Sequence, residues 1–327
     1  MTVKLKPLSQ QVIVITGASS GIGLATAYRA AERGAKVVLV ARNARALAAI
    51  EQRIRKGGGQ AIHVVADVSR RADLDRVAAA AIKAFGGFDT WVNNAGVGVF
   101  GRLADVSDAD HRQVFEVNFW GVVYGSTIAA EHLKQSGGAI INMGSVVGDA
   151  AFSLQGMYGA SKHAIKGFTD AFRMELEEAR SPISITLIKP SAMDTPFPEH
   201  ARNYLDQEPK LPPPLYRPEQ VADTVLHAAE HGGRDYIVGG VGVAISAINK
   251  VFPRVLDWAG ARLVPGLSSS GPPVRPPAGN LFQAGRDGDV RGNGSIAGGG
   301  ALRPMAALAL LAVAGLAGTS FLGRKRA

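Results

Sequence analysis

Six short runs between Gln11 and about Leu187 are β-branched and nearly continuous in apolar character: QVIVIT, KVVLVA, AIHVVA, DTWVNN, GAIINM and ISITLI. Strands buried on both faces of a parallel sheet read this way, because neither face alternates with water. Between them lie Ala-rich helical patterns, such as GLATAYRAAERG and SRRADLDRVAAAAIKAFGG, each of these two closing in glycine. Repeated strand–helix units predict an α/β fold with a doubly wound parallel sheet. Right-handed crossovers then place ligands at the C-terminal ends of the strands.

After Pro190 the alternation stops. SAMDTPFPEHARNYLDQEPKLPPPLYRP is proline-rich with isolated large apolar residues. A loop of this length inside a compact domain is uncommon unless it covers a site, so it is expected to be a substrate lid. PEQVADTVLHAAEHGG then predicts a helix with Pro218 near its start, RDYIVGG a last strand, and about 243–261 a closing helix. Residues 265–300 contain ten Gly and five Pro, which predicts a linker, interrupted by Leu281 and Phe282 as residues able to dock on the body. Met305–Leu322 is an uncharged apolar run of 18 residues, bounded by Arg303 and by Arg324-Lys325-Arg326. That is the lower limit for a membrane-spanning helix and predicts an anchor. The expected organisation is a catalytic domain over 1–262, a Gly/Pro-rich linker over 263–302 and an apolar helix over 303–327. It predicts a place on the cytoplasmic face of a membrane, or in the cytoplasm if the tail does not insert.

The chain has 327 residues and no cysteine. Disulfides, thiolate metal sites and cysteine nucleophiles are therefore excluded. His227 and His231 share an i, i+4 spacing, but the Glu of a zinc-protease helix, directly after the first His, is lacking; they are expected to close a helix C-terminus, and no metal site is predicted. The net charge is +9, of which residues 261–327 hold +6 and residues 1–260 only +3. A nucleic-acid binder would carry its basic face on the folded body, so no nucleic-acid partner is expected.

The first strand runs into Thr16-Gly17-Ala18-Ser19-Ser20-Gly21-Ile22-Gly23 and at once into a helix. Glycine lets backbone approach a phosphate closely, and the helix N-terminus offers free N–H groups and a positive dipole end. At the end of the second strand an NAD site wants a carboxylate for the ribose 2′-hydroxyl. This chain has Ala41, then Arg42 and Arg45, which suits a 2′-phosphate and predicts NADP. Asp67, ending the third strand, is expected to accept from an adenine amino group, to cap the following helix, or both. Tyr158 and Lys162 lie i, i+4 on one helix face. An ammonium beside a phenol favours the phenolate, making tyrosine a usable general acid and base. Ser145, thirteen positions before Tyr158, is placed to hold a substrate oxygen, and Asn118 to orient a water behind Lys162.

Taken together, these residues resemble the short-chain dehydrogenase/reductase family over roughly residues 9–245. TGASSGIG at 16–23 is similar to the family's cofactor motif, and Asn93-Asn94-Ala95-Gly96 to the segment beside the cofactor. Asn118, Ser145, Tyr158 and Lys162 match its catalytic tetrad in order and spacing. Arg42 resembles the NADP-preferring subset. The resemblance implies a Rossmann-like fold with a cofactor site of Gly17, Ser19, Ser20, Gly21, Ile22, Gly23, Arg42, Asp67, Val68, Asn94, Ala95, Gly96, Tyr158, Lys162, Pro190 and Thr195. In it Lys162 holds the nicotinamide ribose and Thr195 contacts the carboxamide. One departure is Pro190-Ser191, where the family commonly has Pro-Gly.

The implied chemistry is interconversion of a carbonyl and an alcohol by a small-molecule oxidoreductase. Val97, Phe100, Val147, Phe152, Met193 and Phe197 are expected to wall the substrate, which points to a lipophilic compound. The alternatives are an NADP(H)-sensing regulator without turnover, against which the intact tetrad argues, or a membrane scaffold, which truncation of the tail would distinguish from an enzyme. Helices around 108–134 and 157–179 resemble those that pair subunits in this family, implying a homo-oligomer.

Overall fold

The computed structural model describes residues 3–272, 277–285 and 287–292. In chain order the body opens with β1 (Val12–Thr16), α1 (Gly21–Glu32), β2 (Lys36–Ala41), α2 (Ala44–Lys56), β3 (Gln60–Val65), α3 (Arg71–Phe85) and β4 (Thr90–Asn93). It continues through a short β5 (Val99–Phe100), α4 (Asp108–Phe115), α5 (Gly121–Leu133), β6 (Gly138–Met143), α6 (Gly156–Glu178) and β7 (Ile183–Pro190). The proline-rich segment expected as a lid holds α7 (Phe197–His200), β8 (Arg202–Asn203) and β9 (Glu208–Pro209). Then follow α8 (Pro218–His231), β10 (Asp235–Val238), α9 (Gly240–Val251), α10 (Pro253–Leu267) and β11 (Ser269–Ser270).

Seven strands form one parallel sheet in the order β10-β7-β6-β4-β1-β2-β3. All of β1 is buried, and its side chains alternate between two cores. Ile13 and Ile15 meet Leu24 of α1, Leu47 of α2 and Val221 of α8 on one face. Val12 and Val14 meet Leu74 of α3, Ile128 of α5 and Leu176 of α6 on the other. The apolar runs lack polar alternation for this reason. The strand order reverses between β1 and β4, which opens a crevice at their C-terminal ends.

Helix ends follow their residue chemistry. Asn43 caps α2 by accepting from the Ala46 N–H at 3.0 Å. Gly86 closes α3 in the left-handed conformation, at φ +84. His227 and His231 stack at 4.4 Å in the last turn of α8, which ends at Gly232.

Three features differ from the sequence reading. The closing helix is two helices, because Phe252 leaves helical geometry and Pro253 starts the second one. The lid is tied down: β8 pairs with β5, and β9 pairs with β11. The expected linker begins as helix, since α10 runs to Leu267, and its residues 277–285 and 287–292 lie along the body. Leu281 is fully buried there, whereas Phe282 stays half-exposed. The apolar run 305–322, expected as a membrane helix, lies outside the described residues. Among the described residues no helix is long and apolar enough to cross a membrane.

Candidate functional site

A continuous cavity of about 1000 Å³ opens at the crevice. That is the upper end of the usual range for ligand pockets and leaves room for a large ligand beside a second one. One end is lined by the glycine turn, the other by the lid and the two last helices.

The glycine turn is shaped by close approach. Gly17 has φ +67, and a Cβ on it would stand 2.8 Å from the Ala95 Cα. Gly21 has φ +55 at the first residue of α1. A Cβ on Gly23 would jam against the Gly17 carbonyl and the Asn94 amide. The Asn94 amide is itself fixed, donating to the Thr16 carbonyl at 2.9 Å. Neither neighbour can yield, so Gly23→Ala is expected to destabilise the protein by about 1–3 kcal/mol through overpacking. A urea melt checks this; an unchanged midpoint would show that the turn tolerates a methyl group. Such a cradle, emptied of side chains and set at a helix N-terminus, fits a pyrophosphate.

Arg42 lines the cavity together with the glycine turn. Its guanidinium is not free, however, because it donates to the backbone carbonyls of Asn280 and Leu281. Asp67 does not cap α3, whose N-cap is Arg70. Its Oδ1 accepts from the Ser69 N–H at 3.0 Å and hydroxyl at 2.8 Å, forming a turn at the cavity wall. Ser19, Ser20, Ile22, Val68, Asn94, Ala95, Gly96, Pro190 and Thr195 all line the cavity; Gly23 and Asn118 stand behind it.

Ser145, Tyr158 and Lys162 converge at the middle of the cavity. Ser145 follows β6; its hydroxyl accepts from the Val147 N–H at 3.3 Å and stands near enough to the Tyr158 hydroxyl to favour the phenolate. Burial pushes the phenol up to about 12, with the Ser145 hydroxyl working against that rise. Lys162 is almost fully buried, and burial pushes its ammonium down to about 8. Its Nζ donates to the Met143 carbonyl at 2.8 Å and lies 5.6 Å from the centre of the Tyr158 ring. Burial is the largest influence on both groups, and it holds the phenol above its ordinary value despite the neighbouring lysine.

Asn118 sits in a π-helical turn, Glu116–Trp120, between α4 and α5. Its side chain is spent on neighbours. The amide donates to the Val97 carbonyl at 3.0 Å and the Ser161 hydroxyl at 3.1 Å, and Oδ1 accepts from the Val97 N–H at 2.8 Å. The side chain thus braces the loop after β4 against α6, and its Oδ1 and the Lys162 Nζ both lie within 4 Å of the point where a Gly96 Cβ would stand.

Among the expected substrate walls, Val97, Val147, Phe152, Met193 and Phe197 line the cavity. The Phe197 ring lies 5.2 Å from that of Tyr158. Phe100 does not line it; it is buried in β5, packed away from the cleft. The sequence reading missed the back wall, formed by Ile245 and Ile248 of α9 and by Leu256, Leu263 and Val264 of α10. Their helical spacing was legible, but not the direction they face.

The chain matches the short chain dehydrogenase family model over residues 11–205. An uncharacterized oxidoreductase of Bacillus subtilis, YxnA, is 49% identical over 257 residues, covering 78% of this chain and 72% of that one. An 11-beta-hydroxysteroid dehydrogenase of Sesamum indicum is 34% identical over 260 residues, covering 76% and 74%. Among solved structures, a short chain dehydrogenase/reductase from Burkholderia phymatum in complex with NAD superposes with a TM-score of 0.66 at 26% identity. It covers 83% of this chain and 100% of that one.

Proposed function

The chain belongs to the short-chain dehydrogenase family, oxidoreductases acting on CH–OH groups, and from that premise we propose that it interconverts a lipophilic ketone or aldehyde with its alcohol, using NADP(H) and Tyr158 as the proton-transferring group. The observation that carries this reading is the meeting of Ser145, Tyr158 and Lys162 between a glycine cradle and an apolar chamber.

A bound nicotinamide dinucleotide supplies the hydride-transfer chemistry. The glycine turn and the α1 N-terminus hold its pyrophosphate. Lys162 holds the adjoining ribose with its remaining N–H groups. Ser145 donates to the substrate oxygen and fixes its direction. Tyr158, protonated at neutral pH, delivers its proton to that oxygen in reduction and recovers it in oxidation. The apolar back wall excludes water and selects for carbon-rich substrates.

The preference for NADP rests on Arg42 just after β2, whose N–H groups not taken by Asn280 and Leu281 remain for a 2′-phosphate, and on the lack of a carboxylate there. One charge-assisted contact to a 2′-phosphate is worth about 1.5–3 kcal/mol. A ten- to hundredfold preference for NADPH over NADH in kcat/KM is therefore expected. The Burkholderia structure holds NAD, so NADH is the necessary parallel. The test follows absorbance at 340 nm with a panel of ketones and aldehydes of rising chain length. NADPH oxidation that grows with chain length supports the reading. Equal use of NADH would remove the Arg42 argument, and a preference for short polar substrates would remove the lipophilic one.

Trp120 and Met174 are exposed on the π-helical turn and on α6. Such apolar exposure supports pairing of these helices with a second copy of the chain.

A further inference from the structure

Residues 277–285 and 287–292 are glycine-rich and follow the last helix, yet they are tied to the body along their length. The Pro277 carbonyl accepts from the Asn203 N–H of the lid at 2.8 Å, and the Asn280 N–H donates to the His200 carbonyl at 2.7 Å. Leu281 is fully buried in the core cluster that also holds Val68 and Val117. Its carbonyl accepts from Gln113 at 3.3 Å as well as from Arg42. The Gly285 carbonyl accepts from Asn43 at 3.1 Å.

The far end of the segment is held by the glycine turn itself. The Gly288 N–H donates to the Ser19 carbonyl at 3.0 Å, and the Gly21 N–H donates to the Asp289 carbonyl at 2.9 Å. Arg291 pairs with Glu219 of α8 at 2.9 Å. Gly292 passes so near Thr195 that a Cβ on it would stand 2.6 Å from the Thr195 carbonyl oxygen.

The segment therefore bridges the lid and the glycine turn, with both ends fastened. It takes the Gly21 N–H and two Arg42 donors, yet a cavity of about 1000 Å³ remains between it and the sheet. Asn280, Ala284, Gly285 and Asp287 line the same cavity as Gly17 and Arg42, so they form its outer wall. A molecule lying on the glycine turn would be ringed by polypeptide at its adenosine end. It could leave only after the segment lets go.

We propose that residues 277–285 and 287–292 form a retaining strap, which seals the adenosine half of the dinucleotide cleft and must unlatch before the cofactor exchanges. The proposal rests on the reading that this cleft holds a nicotinamide dinucleotide. Retention follows from geometry: Ser19, Gly21 and Arg42 line the cavity and each is bonded to the segment, which Asn43 holds from outside it. The strap's bonds to Arg42 and the glycine turn adjoin the groups assigned to the cofactor, so cofactor exchange and strap opening are coupled.

The test uses the full-length protein. It is loaded with NADPH, and separately with NADH, and release is read by stopped-flow nucleotide fluorescence on mixing with excess NADP⁺ or NAD⁺. Leu281→Asp places a carboxylate in a fully buried apolar site. Gly292→Val drives a side chain into the Thr195 backbone at the opposite end. Both variants are expected to release nucleotide at least tenfold faster than the wild type. As a second readout, bound NADPH is expected to slow tryptic cleavage after Arg291 in the wild type. Unchanged release in both variants overturns the strap. So does tighter binding in the variants, which would mean that the segment competes with the nucleotide rather than covering it. A wild-type protein that binds neither nucleotide would overturn the cofactor reading first, and the strap with it.

Discussion

Tyr158→Phe is expected to lower kcat for carbonyl reduction by about 10²- to 10⁴-fold, the usual contribution of a positioned general acid, with little change in nucleotide affinity. The ring stays, so its packing against Phe197 at 5.2 Å survives. What goes is the one hydroxyl placed at Ser145. Steady-state kinetics and nucleotide titration separate the two effects. A variant that keeps wild-type kcat would show that the proton comes from elsewhere.

The pH profile of the wild type carries a second mark of the same site. With the phenol pushed up to about 12, Tyr158 holds its proton throughout the neutral range and is set as an acid. Lys162, pushed down to about 8, is the group that changes first as pH rises. Above that value it loses the positive charge that supports proton departure and holds the ribose. The reduction kcat/KM is therefore expected to fall above about pH 8. Lys162→Arg should move that limb upward, because guanidinium keeps its charge. A profile that stays flat from about pH 6 to 10 would exclude Lys162 from this role.

Asp149→Ala is expected to be the most destabilising single change near the site. The Asp149 carboxylate accepts from Lys189 of β7 at 2.8 Å and from Ser246 of α9 at 2.7 Å. Its backbone carbonyl accepts from Asn249 at 2.7 Å. Both charged side chains are nearly sealed from water, at 8% and 9% exposure. Alanine would strand the Lys189 ammonium in the interior, at a cost of about 3–5 kcal/mol. Against a total stability of about 5–15 kcal/mol this is large, and the melting temperature should drop by on the order of 10 °C. Because Asp149 pins α9 to the end of β7, the cavity wall should loosen as well, raising KM for the proposed lipophilic substrate.

The sign with pH is fixed by the same contacts. Burial alone would raise the Asp149 carboxyl, but the Lys189 and Ser246 hydrogen bonds outweigh it and hold it below the ordinary carboxylate range. Its contribution is thus present above the unfolded value of about 3.9 and is lost as pH falls through the lower folded one. Asp149→Leu combined with Lys189→Met should recover most of the lost stability, since apolar replacement of a buried pair is often neutral. An Asp149→Ala protein that melts like the wild type would show the pair to be inert.

Much of the fold was legible because its signals are local. The seven sheet strands coincide with apolar runs, and Gly17 and Gly21 stand where the backbone turns through positive φ. Tyr158 and Lys162 share a helix face simply by their spacing in α6. The short strands β5, β8, β9 and β11 escaped notice because two-residue pairings leave no periodicity. The break at Phe252 escaped although Pro253 marks it, since Pro at a first helical turn is compatible with either reading.

The sequence by itself determined what rests on neighbours along the chain: the parallel sheet, the glycine turn, the tyrosine–lysine pair and the arginine at the end of β2. Local sterics and helical spacing settle these before any packing occurs. Only the tertiary structure decided how charged that pair is, since desolvation comes from atoms far along the chain. It also decided which helices close the substrate chamber, and that Arg42 holds the carbonyls of Asn280 and Leu281. A segment whose composition reads as a spacer became a wall of the site. Composition sets how freely such a chain moves alone, but burial of Leu281 and bonds to residues more than two hundred positions away set where it rests.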